Sequence, residues 1–184
     1  YVGRTGPKCE FSACPGENND LWKTTTDNGI TFQYPETLLT EYIHTVDWPP
    51  RVQVLNEPFS PTLNGLVWGF TCVDLPAEAS AQTGAGAETA RAGKTEKRLV
   101  DNREYCRTSI VEGAAGSIYT NYAYAFPKDG KTIIFTFSLR AVQCANYDDP
   151  QKTACENERS AFDLDSTVDR MAGSIGVAME GERD

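Results

Sequence analysis

Apolar residues recur at every second position in several stretches of this chain, and that spacing predicts strands. Behind the turn signal "DNG", Ile30, Phe32 and Tyr34 alternate with polar neighbours, a half-buried strand that Pro35 ends. "ETLLTEYI" suits a short helix presenting Leu38, Leu39 and Tyr42. After the turn-like "DWPP", "RVQVL" reads as a strand, and "GLVWGFTCV" as another with Leu66, Trp68, Phe70 and Cys72 on one face. "PAEASAQTGAGAETARAG" is a loop of small residues. "TEKRLVDNREYCRTS" forms a hairpin turning at Asp101 and Asn102, which tolerate the left-handed conformation. "EGAAGS" is the next turn. Ile118, Tyr122, Tyr124 and Phe126 then share one face of "SIYTNYAYAF", and "PKDGK" turns into "TIIFTFSLR", where Ile133, Phe135, Phe137 and Leu139 alternate. The sum is an antiparallel meander.

Toward the C-terminus the period lengthens. Asp149 as N-cap and Pro150 at the first helical position open a helix through "QKTACENERSA". Asp163 caps a second helix in which Leu164, Val168, Met171 and Ile175 make one stripe, wide enough to cover a sheet face. The predicted class is α+β: an antiparallel meander sheet covered by C-terminal helices, an α/β sandwich stapled by disulfides. Residues 1–19 form an irregular arm clipped by its own disulfide, 20–177 a single domain, and 178–184 a frayed tail.

The 184 residues are enough for one domain with a sizeable core. No run approaches the roughly 18 to 20 apolar residues of a membrane span. The start, "YVGRTGPKCEFSACPGENND", has neither an initiator Met nor an apolar signal core. A mature or trimmed product is therefore expected, from which an upstream signal or anchor would have been removed. Six cysteines at 9, 14, 72, 106, 144 and 155 contain no C-x-x-C pair, which favours disulfides over zinc or redox chemistry and places the chain in an oxidising, extracytoplasmic compartment, whether secreted, periplasmic or cell-surface. Spacing suggests Cys9 with Cys14, Cys144 with Cys155 and Cys72 with Cys106, with other pairings open. A net charge of -9 opposes nucleic acid and anionic membranes as partners. Charge is uneven: Arg91 to Arg107 holds six basic and three acidic residues, Asp148 to Asp184 ten acidic and four basic. These blocks read as solvated faces, or as a dipolar surface for a charged partner.

Candidate chemistry is sparse. "GKT" at Gly93 to Thr95 matches the end of a phosphate-binding loop, but Glu88 stands where the first glycine is required, and no buried strand precedes it. No nucleotide or other cofactor is expected. His44 is the only histidine, and without a G-x-S-x-G motif it reads as a structural or surface residue. Paired carboxylates for glycan hydrolysis leave no linear signature. Asp163, Asp165 and Asp169 are the nearest approach to calcium ligands, yet they lack the EF-hand glycine and glutamate, and capping explains Asp163, so no metal is expected. Tyr119, on the face opposite Tyr122 and Tyr124, together with Tyr147, Arg91 and Lys94, are the candidate surface binding residues.

"GITFQYP", "GAAGSIYTNYAYAF" and the run from Leu139 to Ile175, above all Cys144, Asn146, Tyr147, Cys155, Glu158 and Phe162 to Asp165, resemble uncharacterised secreted or lipid-anchored proteins of candidate-phylum bacteria. That resemblance implies localisation and brings no activity. Gly29, Phe32, Tyr34 and Pro35 also resemble, with shifted spacing, the opening strand of PsbP/Mog1-like domains, which implies an α/β sandwich used mainly for binding. The expected function is a non-enzymatic binding or interaction module with an unknown protein or cell-envelope partner. The alternatives are a cell-envelope hydrolase using paired carboxylates and an inhibitor of a secreted enzyme that presents the Cys144 to Cys155 loop.

Overall fold

The structure is a computed structural model that describes residues 22–60 and 92–176. The expected N-terminal arm, the strand at 65–73, the small-residue loop and the C-terminal tail lie outside the described residues, as do Cys9, Cys14, Cys72 and Arg91.

Strands β1 (Trp22–Asp27) and β2 (Ile30–Pro35) form a separate hairpin. A five-stranded antiparallel sheet has the order β3-β7-β6-β5-β4, built from β3 (Ile43–Leu55), β4 (Ala92–Val100), β5 (Arg103–Ala114), β6 (Ser117–Lys128) and β7 (Lys131–Val142). Helices α1 (Gln151–Ala161) and α2 (Leu164–Gly173) follow. The fold is α+β, as the alternation and the late change of period predict.

Turn chemistry fixes the meander. Asn28-Gly29, Asp101-Asn102, Ala115-Gly116 and Asp129-Gly130 each put two consecutive residues at positive φ, the geometry that matches the twist of a two-residue hairpin. At Gly116 the space is also closed, since an added Cβ would sit 3.0 Å from Asn146 Nδ2. The short 3-10 turn Cys144–Asn146 clamps this hairpin end: Gln143 N and Asn146 Nδ2 both donate to the Gly116 carbonyl, at 3.1 and 2.9 Å.

One sheet face carries the main core. Tyr124, Phe126, Ile133 and Phe135 are buried there beneath Val168 and Met171 of α2, and Phe32 of the hairpin meets Phe135 at 4.8 Å between ring centroids. Trp48 ties the hairpin to the sheet: its Nε1 donates to the Pro35 carbonyl at 2.8 Å and its ring meets Phe137 edge-on at 5.5 Å. The second face is buried at its centre too. Cys106, Ala123, Ala125 and Ile134 pack there with Leu55 and Phe59, and Thr132 Oγ1 donates to the Glu57 carbonyl.

Three expectations are corrected. "ETLLTEYI" is not a helix but an irregular connection that buries Leu38 and Tyr42 and leaves Leu39 exposed. Its donors go elsewhere: Tyr42 N and Glu41 N donate to the Glu158 carboxylate of α1 at 2.8 and 3.3 Å, and Thr40 Oγ1 donates to the same group. "DWPP" is not a turn. Strand β3 runs straight through it with two register shifts, which an edge strand allows because its outer N–H groups need no ladder partner. Finally, Pro150 is the N-cap of α1 rather than its first helical residue, and Asp149 Oδ1 accepts from Thr153 N and Oγ1 one turn on. Asp163 caps α2 as expected, accepting from Ser166 N at 3.0 Å.

Candidate functional site

Strand register gathers the arginines. Pairing sets Glu96 opposite Arg107 and Arg98 opposite Tyr105 on β4 and β5, and Arg107 opposite Tyr124 on β6. Directly opposed residues share a face, here the one under α2. Helix α2 brings Asp165 and Asp169, one turn apart, down onto them.

The result is a closed network. Asp165 Oδ2 accepts from Arg98 Nε at 2.8 Å and Nη2 at 2.5 Å, while Oδ1 accepts from Tyr124 Oη at 2.7 Å and Arg107 Nη1 at 3.1 Å. Arg107 Nη2 donates to Glu96. Next to it, Asp169 Oδ1 accepts from Arg103 Nη1 at 2.7 Å and Tyr105 Oη at 2.5 Å, and the Asp169 carbonyl accepts from Arg103 again. The two charge blocks of the sequence thus meet inside the molecule, with arginines of the basic run pairing with aspartates of the acidic tail. At these residues the charges are largely spent on one another, while Arg98 keeps 41% of its side chain exposed.

Electrostatics follow from this packing. Burial works to raise the Asp165 carboxyl, but hydrogen bonds from Tyr124 and Arg98 and the charges of Arg107 and Arg98 outweigh it and hold the group below the ordinary carboxylate range. Burial first, then the neighbouring Asp165 charge, pushes the Tyr124 phenol up. Tyr105 is raised chiefly by burial. Burial opposes the charge on Arg107, yet Tyr124, Glu96 and Asp165 keep it protonated.

Beside the network lies a cleft of about 400 Å³ between the sheet and the α1–α2 junction, walled by Arg98, Arg107, Tyr122, Arg159, Phe162 and Asp165 among others. A second cleft of about 530 Å³ adjoins it at Cys144, Ala145 and Glu156. Ile118, Arg159 and Ser160 line both. No family model matches this chain, and no curated protein sequence matches it. What the site does must therefore be argued from its own side chains.

The residues singled out in the sequence are scattered. Asp163 serves as the α2 cap, whereas Asp165 and Asp169 turn to different arginines, so the three do not converge as ion ligands. Among the described residues no cluster of three metal-ligating side chains occurs. Tyr119 sits on the second face, opposite Glu112 on one side and Arg140 on the other. Tyr147 packs edge-on against Tyr42 at 5.7 Å, in a small cluster around Cys144 and Cys155. Lys94 and the rest of "GKT" lie within β4, where a phosphate-binding loop has no room to form. His44 is on β3 opposite Arg140. The Cys144–Cys155 disulfide is present, with Cα atoms 5.5 Å apart. Cys106 is disulfide-bonded as well.

The cleft arginines Arg98, Arg107 and Arg159 escaped the sequence reading. Two of them were within reach: a hairpin turning at Asp101-Asn102 already places Arg98 and Arg107 on a common face, two strand positions apart in register. Arg159 carries no such signal.

Proposed function

We propose that this chain is a non-enzymatic binding module that works outside the cytoplasm and receives its ligand in the cleft at the α1–α2 junction. The observation that carries this reading is the state of the acids in the cleft wall. A two-carboxylate hydrolase requires one carboxyl raised so that it holds a proton to donate. Asp165 is held in the opposite direction, and Asp163 is spent on a helix cap. The remaining wall offers shape, charge and apolar surface. These are the means of binding.

Two further observations support the reading. The Cys144–Cys155 bridge and the bonded Cys106 fit an oxidising compartment. Among the described residues no helix is long and apolar enough to cross a membrane. The Cys144 to Cys155 segment, which an inhibitor would present as a plug, is instead folded into a 3-10 turn and the start of α1, with Tyr147 packed inward on Tyr42.

The test is incubation of the full chain with peptidoglycan and with soluble glycans. Retention of a component without release of fragments is expected. Release that vanishes in both D163N and D165N, with folding intact, would replace this reading by the hydrolase. Protein from its native source should show no free thiol on alkylation without reductant, and free thiols would overturn the compartment.

A further inference from the structure

Three guanidinium groups line the first cleft, and they are not equivalent. Arg98 gives Nε and Nη2 to Asp165, and Arg107 gives Nη1 to Asp165 and Nη2 to Glu96. Arg159 gives nothing: it is exposed, and among the described residues it has no hydrogen bond and no ion pair. Placement in the last turn of α1 is favourable for a cation, but that turn does not explain why the side chain lines both clefts. A second donor nearby also lacks a partner, since Arg107 Nε is buried without a hydrogen bond. Buried donors are almost always satisfied, and this one, unpaired among the described residues, leaves an uncompensated positive dipole behind the cleft wall that favours an anion there.

The other walls supply the rest of a recognition surface. Ile118, Leu139 and Phe162 give the first cleft an apolar side, and Tyr122 stands half-buried beside Thr120. Ser160 Oγ donates to the Asn157 carbonyl at 2.9 Å, so its one proton is spent. The acids of the first cleft, Asp163 and Asp165, have their oxygens occupied, while Glu156 is an acid in the wall of the second. The first cleft's volume falls in the range of small-ligand sites.

We infer that the joined clefts bind an amphiphilic oxyanion, one carboxylate or phosphate head held by Arg159 with a short apolar body lying along Ile118 and Phe162. Arginine suits such a head because its planar fork meets two oxygens at once. The inference rests on the binding-module reading and names the ligand class of that site.

The experiment is an amide chemical-shift titration of the full chain with four probes: hexanoate, hexyl phosphate, hexanol and acetate. Hexanoate or hexyl phosphate should move the amides of Ile118, Ala145 and Ser160 saturably, and whichever binds more tightly identifies the head. Hexanol lacks the charge and acetate lacks the body, so each should bind at least about tenfold more weakly. R159Q should weaken binding of the preferred anion by about tenfold or more, with R159K recovering part of the loss. Because Arg159 is exposed and unpaired among the described residues, neither variant threatens the fold. Hexanol binding as tightly as the anions, or R159Q binding them unchanged, would overturn the anion assignment while leaving the cleft a binding site. If no probe moves an amide around the clefts, both the anion assignment and the location of the binding site fall.

Discussion

Replacing Asp165 with Asn keeps the shape of the side chain and removes the charge on which three groups converge. Arg98 is 41% exposed, so its share is screened and worth about 1 kcal/mol or less. Arg107 and Tyr124 are the costly losses. Asp165 is 12% exposed and Arg107 20%, and hydrogen bonds to charged groups in such settings contribute about 1.5 to 3 kcal/mol. Arg107 retains Glu96, which keeps the total below that of an orphaned buried charge. D165N should therefore lose about 2 to 4 kcal/mol at pH 7, or roughly 5 to 12 °C in melting temperature for a domain of this size. The assay is urea unfolding followed by tryptophan fluorescence, repeated as pH is lowered. The folded carboxyl is held below its unfolded value of about 3.9. Its contribution is thus fully present above that value and is lost as pH falls through the folded one. Asn has no proton to take up, so the gap between wild type and D165N should be constant from pH 7 to about 5 and shrink below about pH 4. A D165N protein within about 0.5 kcal/mol of wild type at pH 7 would refute the assignment. So would a gap that stays constant through acid.

Three further outcomes are expected. The double variant C144S/C155S opens a loop of sequence separation 11 and should lower stability by about 2 to 3 kcal/mol under non-reducing conditions, read as a fall in urea midpoint. E158Q weakens the acceptor that holds Thr40, Glu41 and Tyr42, so amide exchange at Glu41 and Tyr42 should quicken well before global unfolding; unchanged protection would mean that the 36–42 connection is held by other contacts. F135A empties the fully buried position where the hairpin, β6 and β7 meet and should cost about 3 to 5 kcal/mol by thermal unfolding.

What could be read in advance was local. Asp101-Asn102 and Asp129-Gly130 announce hairpins because their backbone geometry is rare for other residues, and alternation from Ile118 to Leu139 sets which side chains face the core. The stripe from Leu164 to Ile175 announced its burial in the same way. Strand β1 went unseen because "WKTTTD" contains one large apolar residue and so shows no period. "ETLLTEYI" misled because helix propensity counts residues near in sequence, whereas its amide donors are bound by Glu158, more than a hundred residues away. The charge blocks misled for the same reason: composition shows that Arg98 and Asp165 carry opposite signs, but only the fold shows that they pair. Arg159 became visible only as the cleft arginine left over once Arg98 and Arg107 had partners.

The earliest described hairpin is fastened to the last helix. Gln33 N donates to Ser174 Oγ at 2.7 Å across 141 residues of chain, and Arg170 lies over the Trp22 ring at 4.0 Å. During synthesis this hairpin emerges long before its anchor. Loop closure over that span is entropically costly and slow, so Trp22 lacks its Arg170 cover, and the hairpin its last fastening, until α2 has been made. A nascent chain stalled before Leu164 should leave the hairpin open to protease, whereas one stalled well beyond Ile175 should protect it. The order of manufacture, as much as the final contacts, decides how long this protein is exposed to aggregation or to a chaperone.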